Sequence, residues 1–267
     1  MSIPIRLLII SDTHDRWPYS DSNPAPKVDV LLHCGDLTQV GGLPAFCRAI
    51  ENIKSIDAEL KLVIAGNHDL ELDEKWVRDN MEDEDDLEGS AKAIAFFKAQ
   101  KKHGVHYLEE GTHSFTLNHG AKITIYASPY TPEFNGYAFA YRTEDRFSLG
   151  AHSIPDNADI VMTHGPPDLK SSAYKLDING KGEHCGCEKL AKAIQRVKPR
   201  LHCFGHLHEG RGAAYAKWNT DGAPHISCLD DRTSLVVRNA TTEKETLLVN
   251  AAMQDGEGSS MVVDMVA

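Results

Sequence analysis

Five short polar clusters, each directly after an apolar run, carry most of the chemistry that this sequence suggests. The clusters are Ser11-Asp12-Thr13-His14, Gly35-Asp36, Gly66-Asn67-His68-Asp69, Thr163-His164-Gly165 and Gly205-His206-Leu207-His208. Carboxylate, amide and imidazole groups without thiolates are suitable ligands for Mn, Fe, Zn or similar divalent ions. Together the clusters supply the ligand types that a pair of such ions needs, so the pattern predicts a binuclear metal site.

The spacing within the clusters indicates how the ligands are shared. Asp12 and His14 are two residues apart, so both side chains point the same way from a strand and can reach one ion. Asp36 has two carboxylate oxygens and can bridge two ions. His206 and His208 repeat the two-residue spacing and can serve one ion each. A single Asp-x-His or Gly-Asp pair is a weak signal, whereas the ordered set predicts a shared role.

The elements that must position these clusters are short strands alternating with helices. Runs rich in Val, Ile and Leu occupy residues 7–10, 28–32, 60–65, 123–127, 160–162 and 201–204. Such runs suit strands that are buried on both faces of a sheet. Helical spacing occurs over 43–53 and 190–197, and around Ile94 and Phe97, where Ser90 is the predicted N-cap. The alternation predicts βαβ units, with the clusters gathered beyond the carboxyl ends of the strands.

The last part of the chain has a different pattern. Residues 235–237, 246–249 and 261–266 are strand-like and are separated by turn-rich spacers without a helix. This predicts a second, more antiparallel layer, with residues 255–260 as a loop. No internal repeat or linker divides the chain, so we predict a single domain over residues 1–267.

The composition is typical of a globular protein. Hydrophobic residues make up 41% and charged residues 25%, which argues against disordered and fibrous classes. The short N-terminal apolar run ends at Ser11-Asp12, and no run approaches the roughly 18 apolar residues of a membrane span. Six cysteines in 267 residues do not resemble a disulfide framework. We therefore expect a cytoplasmic protein with reduced thiols and no membrane partner.

The net charge of −11 is concentrated in one segment. Eleven carboxylates and two cations lie between Asp69 and Glu88, which leaves the remainder of the chain close to neutral. The segment is most simply a solvated surface, and its position after the third cluster would also repel large anions from the site. No basic patch interleaved with aromatic residues is present. The charge distribution therefore favours a small phosphate ester over a nucleic-acid polymer as the partner.

In order and in content, the five clusters resemble the signature blocks of the calcineurin-like metallophosphoesterases, and the resemblance spans roughly residues 5–212. Longer sequence motifs around the clusters are similar to those of the metallophosphoesterase-domain-containing subfamily, which is related to class III cyclic-nucleotide phosphodiesterases. These motifs include Leu32-His33-Cys34-Gly35-Asp36, Thr131-Pro132-Glu133-Phe134-Asn135-Gly136 and Gly205-His206-Leu207-His208-Glu209-Gly210. The resemblance implies an α/β fold, a four-layer αββα sandwich with the site at the carboxyl ends of the central strands.

The resemblance also implies a ligand set for each of two divalent ions, with Mn, Fe or Zn as candidates. The ligands implied for the first ion are Asp12, His14, Asp36 and His208. The ligands implied for the second ion are Asp36, Asn67, His164 and His206. Two such ions lower the pKa of a bridging water, and the resulting hydroxide attacks phosphorus in line with the leaving oxygen.

The remaining candidate residues would act on the substrate. His68, next to Asn67, would donate a hydrogen bond or proton to the leaving oxygen, with Asp69 or another carboxylate orienting its ring. Asn67 and His68 are therefore also candidate substrate contacts. Phe134 and Asn135 lie in the loop 129–139, together with the aromatic residues Tyr130, Tyr137 and Phe139. This loop is either a wall for a base or an aromatic leaving group, or ordinary loop packing.

Three functions remain open on this basis. The leading hypothesis is a metal-dependent phosphoric ester hydrolase that cleaves small phosphodiesters, such as cyclic nucleotides. The first alternative is a phosphomonoesterase acting on small phosphate esters or phosphoproteins, since the same centre handles monoesters when the pocket neutralises a second phosphate charge. The second alternative is a metal-binding scaffold without turnover, although the complete ligand set argues against it.

Overall fold

The computed structural model describes residues 3–142, 147, 152–219, 224–230, 235–237, 244–258 and 261–266. Its strands are β1 (Pro4–Ile10), β2 (Val30–His33), β3 (Leu60–Val63), β4 (Val105–Tyr107), β5 (Gly111–Thr116), β6 (Lys122–Ser128), β7 (Thr131–Pro132), β8 (Ala140–Tyr141), β9 (Ile160–Thr163), β10 (Leu201–Phe204), β11 (Gly212–Lys217), β12 (His225–Cys228), β13 (Leu235–Val236), β14 (Glu245–Asn250) and β15 (Met261–Val266). Its helices are α1 (Leu43–Lys54), α2 (Glu74–Asn80), α3 (Glu84–Ala99) and α4 (Glu188–Val197).

Two mixed sheets form the centre of the molecule. The first has the strand order β13-β15-β1-β2-β3-β4, in which β1 to β4 run parallel and β15 pairs antiparallel with β1. The second has the order β12-β11-β14-β10-β9-β6-β5, in which β6, β9, β10 and β14 run parallel. The central strands β2, β3, β9 and β10 are buried along their whole length. This burial explains why their sequences are mainly apolar, with polar exceptions such as His33, Lys61 and His202.

The sheets pack face to face, and helices cover both outer faces. Side chains such as Ile9 of the first sheet and Ile125 of the second share one buried core between the sheets. Helices α1 and α3 cover the outer face of the first sheet, where Phe46 and Phe97 belong to its core. Helix α4 covers the outer face of the second sheet through residues such as Ile194. The implied four-layer αββα sandwich is therefore confirmed.

The tail of the chain differs from the sequence expectation, because its strands do not form a separate antiparallel layer. Strand β14 lies inside the second sheet, parallel to β10 and antiparallel to β11. Strand β15 joins the first sheet beside β1, and β13 runs parallel to it. Buried positions along nearly all of β14 suit the interior of a sheet. Of the predicted loop 255–260, residues 259–260 lie outside the described part of the chain.

The predicted N-cap at Ser90 is wrong, because α3 begins earlier. Asp83 caps this helix, and its side chain accepts a hydrogen bond from the Asp85 main-chain N–H at 3.0 Å. Acidic residues in the first turn suit the positive end of the helix dipole. Ser90 lies within the helix, and its hydroxyl donates to the Glu71 carbonyl at 2.7 Å.

In the part of the chain that the structure describes, no helix has the length and apolar character needed to cross a bilayer.

Candidate metal centre

The five polar clusters meet between the two sheets, at the carboxyl ends of their central strands. Within the first sheet, the Asp12 N–H donates to the Gly35 carbonyl at 2.9 Å. Within the second, the Gly205 N–H donates to the His164 carbonyl at 2.9 Å. A bond between the sheets joins His164 Nδ1 to the Cys34 carbonyl, also at 2.9 Å. Clusters separated by up to two hundred residues therefore become one site.

Strained backbone is concentrated at the predicted ligands. Asp12, His14, Asp36 and His206 have φ values of 57°, 42°, 52° and 70°. The left-handed region is uncommon for residues other than glycine, and each such residue costs on the order of 1 kcal/mol or more. Surrounding contacts must hold these conformations, and the conformations aim the side chains inward.

One group of ligands contains Asp12, His14 and His208, whose candidate ligand atoms all lie within 4.8 Å of one another. His208 Nε2 lies 3.4 Å from Asp12 Oδ1, and His14 Nε2 lies 3.9 Å from the same oxygen. His14 Nδ1 donates to the Thr38 carbonyl at 3.1 Å, so its Nε2 faces the carboxylates. Burial opposes ionisation of Asp12, but the hydrogen bond with His208 and the neighbouring histidine charges outweigh it and lower its pKa.

The second group contains Asp12, Asp36 and His164, with Asn67 beside them. His164 Nε2 lies 2.9 Å from Asn67 Oδ1 and 3.5 Å from Asp36 Oδ1. Because Nδ1 must donate to the Cys34 carbonyl, the neutral His164 ring has a lone pair on Nε2 that faces two acceptor oxygens. Burial lowers the pKa of His164, but the Asp36 and Asp12 carboxylates raise it to about 9. A lone pair that faces two acceptor oxygens is electrostatically unfavourable. A cation between them, either a proton on Nε2 or a metal ion, removes this repulsion.

Asp36 belongs to the second group and also faces the first, whereas Asp12 is a member of both groups. Its Oδ2 is 3.6 Å from His14 Nε2, while its Oδ1 is on the side of His164 and also accepts the His68 main-chain N–H at 2.8 Å. Burial would raise the pKa of Asp36, but the His164 charge and hydrogen bond lower it overall. Asp36 is therefore ionised and offers one oxygen to each group.

His206 approaches from the second sheet. Its main-chain N–H donates to both Asp12 oxygens, at 3.1 and 3.0 Å, and its ring centroid lies 5.0 Å from that of His164. Burial lowers the pKa of His206 to about 4, which keeps the ring neutral and its lone pair available to a metal ion. Carboxylate, amide and neutral imidazole donors without a thiolate fit Mn, Fe or Zn.

His68 lies at the edge of the site, and its orienting partner differs from the expectation. His68 Nδ1 donates to the Gln39 carbonyl at 2.7 Å, so a main-chain oxygen fills the role assigned to Asp69. The buried Asp69 carboxylate accepts from the N–H groups of Leu37 and Gly66 at 3.2 and 2.9 Å and from Thr38, so it ties the second and third clusters together. Burial and the nearby Asp36 charge raise the pKa of Asp69 to about 7.

The loop that is predicted to form a wall of the substrate pocket places one of its aromatic rings against His68. Phe134 is 59% exposed, and Asn135 adopts a left-handed turn conformation with φ of 52°. Tyr137, from the same loop, places its ring 4.5 Å from that of His68 at an angle of 32°. Tyr137 is therefore the loop residue whose ring contacts the candidate catalytic histidine.

Three glycines of the clusters leave room for the ligands. A Cβ on Gly205 would lie 2.1 Å from Asp12 Oδ2, and a Cβ on Gly66 would lie 2.2 Å from Asp36 Oδ1. Gly35 has φ of 100° and no room for a Cβ beside His164 Nδ1, at 2.6 Å. Real Cβ atoms do not approach other atoms so closely, so these positions require glycine.

Two buried histidines behind the ligands have a role that the sequence reasoning missed. The Nε2 atoms of His33 and His202 lie 3.1 and 2.9 Å from the hydroxyls of Thr13 and Thr163. Thr163 donates its single proton to the Gly165 carbonyl at 2.7 Å, so His202 must donate from Nε2. Burial lowers the pKa of His33 to about 4 and that of His202 to about 3, so both rings are neutral.

Each of these threonines is adjacent to a predicted ligand, so the buried histidines support the ligand loops from behind. A repeated tripeptide, Leu-His-Cys at residues 32–34 and 201–203, is the sequence signal that could have found them. Neither Nδ1 atom has a hydrogen-bond partner among the described residues. Support of the loops, rather than a larger network, therefore accounts for these histidines.

We expect His202→Leu to weaken metal binding about fivefold, the factor for one hydrogen bond of roughly 1 kcal/mol. The thermal stability should change little, because the leucine also removes the unpaired Nδ1. His202→Gln, which can still donate to Thr163, should retain the affinity. Calorimetric titration with Mn(II) measures both variants. Equal affinity in wild type and His202→Leu would mean that His202 only fills space.

Comparisons with known proteins agree with this geometry. Residues 5–210 match the family model described as calcineurin-like phosphoesterase. Metallophosphoesterase domain-containing protein 1 of Homo sapiens is 34% identical over 78% of this chain and 61% of that protein. A protein of Emericella nidulans described as probable rhamnogalacturonate lyase C is 31% identical over 80% of this chain and 18% of that protein. A UPF0046 protein of Caenorhabditis elegans is 28% identical over 94% of this chain and 76% of that protein.

The chain thus spans less than two thirds of the length of the human and Emericella relatives. A solved structure covers 98% of this chain and 95% of its own, with a TM-score of 0.54 and 13% identity, which shows a likeness of fold alone. The matched residues include strands β2 to β10, all four named helices and the five polar clusters, in agreement with the resemblance drawn from the sequence. This chain belongs to the calcineurin-like phosphoesterase family.

Proposed function

We propose that this protein is a metal-dependent hydrolase of small phosphodiesters, with cyclic nucleotides as the expected substrate class. The observation that supports the proposal most strongly is Asp36, whose two oxygens face His14 and His164 at 3.6 and 3.5 Å. Two divalent ions bound there would supply positive charge for the phosphoryl oxygens and would activate a water molecule near neutral pH. Asp12, His14, Asp36 and His208 would hold one ion, and Asp36, Asn67, His164 and His206 the other.

His68 is the proposed proton donor to the leaving oxygen. Because the Gln39 carbonyl holds Nδ1–H at 2.7 Å, Nε2 is the ring atom that remains to carry a proton to substrate. The His68 main-chain N–H is bound to Asp36 at 2.8 Å, which keeps the residue next to the proposed metal pair without making it a ligand. Asp69 acts indirectly in this proposal, by holding the loops that carry Asp36 and His68.

The charges around the centre favour a diester over a monoester. A monoester dianion requires a further cation in the pocket. Two arginines beside the end of the first cluster are already paired: Arg16 with Asp255 at 3.0 Å and Arg48 with Asp15 at 3.4 Å. The acidic segment of α2 and α3 adds further negative potential. These features support a monoanionic substrate and argue against a large polyanion.

Hydrolysis of two aryl esters by one preparation tests this proposal. Protein reconstituted with Mn, Fe, Zn, Ni or Co is expected to hydrolyse bis-p-nitrophenyl phosphate faster than p-nitrophenyl phosphate. Faster turnover of the monoester would favour phosphomonoesterase activity instead. Absence of turnover of both esters with every metal would support the non-catalytic scaffold.

We also propose a cytoplasmic location, which is expected from the cysteine pattern.

His68→Ala should lower turnover about 100-fold or more, the low end of what loss of a general acid costs, and leave metal content intact. The deficit should be larger for cyclic AMP than for bis-p-nitrophenyl phosphate, because a ribose hydroxyl is a poorer leaving group than p-nitrophenol. Steady-state kinetics and metal analysis measure both effects. His103→Ala, at an exposed position distant from the site, is the matched control. Loss of metal together with activity would show that His68 has been misassigned.

A further inference from the structure

The ring of Tyr137 lies against the ring of His68, the proposed proton donor. Their centroids are 4.5 Å apart and the angle between their planes is 32°, which is close to the geometry of an offset aromatic pair. Tyr137 is half-buried and belongs to the loop that joins β7 to β8. A side chain that is distant from His68 in sequence therefore covers one face of its ring.

The other contacts of the His68 ring come from the side of the proposed ligands. His14 meets it edge-on, with centroids 4.8 Å apart and an interplanar angle of 81°. The carbonyl groups of Thr38 and Gln39 are successive in the chain, and they accept from Nδ1 of His14 at 3.1 Å and from Nδ1 of His68 at 2.7 Å. This two-residue segment therefore sets the spacing between a proposed ligand and the proposed proton donor.

The hydrogen bond to Gln39 fixes one atom of the His68 ring and leaves the plane of the ring free to rock about that atom. Nε2 is two bonds away from Nδ1, so rocking displaces it. An aromatic ring packed on the face of the imidazole limits this motion, because a tilted imidazole either collides with that ring or loses contact with it. The position of Nε2, which meets the substrate in the proposed function, therefore depends on Tyr137.

Tyr137 is itself held from both sides along the chain. Trp76 Nε1–H donates to the Gly136 carbonyl at 2.7 Å, and Asp73 Oδ2 accepts the Phe139 N–H at 2.7 Å. The other carboxylate oxygen of Asp73 accepts the Trp76 N–H at 3.1 Å and caps α2. Helix α2 therefore braces the loop, and the aromatic ring is in place before a substrate binds.

We propose that Tyr137 is a positioning residue for His68, whose ring it fixes so that Nε2 meets the leaving oxygen. The inference rests on the proposed function, since it assumes that His68 donates a proton to that oxygen. Tyr137 takes no part in bond cleavage and acts only through His68. The packing uses the ring and not the hydroxyl, so phenylalanine should replace tyrosine and leucine should not.

A double-mutant cycle tests whether Tyr137 acts through His68. Tyr137→Leu should lower kcat about tenfold, with KM and metal content unchanged, because a displaced general acid loses part of the roughly 100-fold or more that it supplies. In the His68→Ala background, Tyr137→Leu should have no further effect. Steady-state kinetics with bis-p-nitrophenyl phosphate on Mn-loaded protein measure all four proteins. Losses that multiply in the double variant would overturn the inference, because Tyr137 would then act independently of His68.

A comparison of two esters separates positioning from a general loss of structure. Diphenyl phosphate has a poorer leaving group than bis-p-nitrophenyl phosphate and needs more proton assistance, so Tyr137→Leu should lower its kcat by a larger factor. Tyr137→Phe should retain both rates within about twofold, because it keeps the aromatic pair. Equal losses for the two esters, or the same loss in Tyr137→Phe, would contradict the positioning role.

Nuclear magnetic resonance tests the same contact without turnover. In protein loaded with diamagnetic Zn(II), the Nδ1–H proton of His68 should give a slowly exchanging signal that is absent from His68→Ala, because it is bonded to the Gln39 carbonyl at 2.7 Å. The signal should persist in Tyr137→Phe and broaden beyond detection in Tyr137→Leu; an unchanged signal in Tyr137→Leu would overturn the inference. Failure of the proposed function gives a different result: wild type hydrolyses neither ester, while the signal still depends on Tyr137.

Discussion

Asp36→Asn is expected to lower phosphodiester turnover by at least about 1000-fold, because several kcal/mol of charge stabilisation depend on a complete metal pair. Asparagine is nearly the same size, and its amide oxygen can still accept the His68 main-chain N–H that Asp36 binds at 2.8 Å. The substitution therefore removes the negative charge and one metal-binding oxygen with little change in packing. Metal content should fall below two ions per chain, as measured by elemental analysis after gel filtration.

The matched control is Asp57→Asn. The Asp57 side chain is 70% exposed and pairs with Lys27 at the surface, at 3.0 Å. This variant should retain both metal content and turnover. If Asp36→Asn kept two ions and near-normal activity, Asp36 would not be the shared ligand, and the assignment of the two ligand groups would be wrong.

Gly205→Ala should lower turnover about 100-fold, the scale of a displacement of about 1 Å in a catalytic group. A Cβ at this position would lie 2.1 Å from both Asp12 Oδ2 and Ser11 Oγ. Asp12 is fully buried and is held by the His206 main-chain N–H, so it cannot move aside without changing both ligand groups. Activity assays and metal titration should therefore show a joint loss of turnover and affinity.

Gly89→Ala is the control for this substitution. Gly89 lies within α3, and a Cβ there would meet no atom within 4 Å. Alanine in a helix interior is more favourable than glycine by roughly 0.5–1 kcal/mol, so this variant should be slightly more stable and fully active. A Gly205→Ala protein with normal metal affinity and turnover would show that the Asp12 loop is less constrained than its contacts indicate.

The sequence was sufficient to predict βαβ units and the convergence of the polar clusters, because both depend on local patterns. The four-layer αββα sandwich was implied by the resemblance to a known family. Continuous apolar runs identify strands buried on both faces, and polar residues directly after them must meet at one edge of parallel strands. The clusters at Asp12, Asp36 and His164 follow this rule. Gly35, Gly66 and Gly205 follow the same logic, since a side chain at each of them would displace a predicted ligand.

The parts that the sequence could not provide depend on partners distant in the chain. Asp69 adjoins His68 in sequence, yet the His68 ring is oriented by the main-chain oxygen of Gln39, a contact that leaves no trace in side-chain types. Ser90 has the residue type of an N-cap, but the acidic residues before it cap the helix earlier. Tyr137 and Phe134 are similar in type, and only the turn at Asn135 and Gly136 determines which one faces His68.

A pair of ions that share Asp36 is directly detectable by electron paramagnetic resonance during titration with Mn(II). We expect saturation at two ions per chain, with the exchange-coupled signal of neighbouring Mn(II) ions that share a ligand. In Asp36→Asn the coupled signal should disappear. Saturation of the wild-type protein at one ion, or at two ions with the spectrum of isolated Mn(II), would contradict the account.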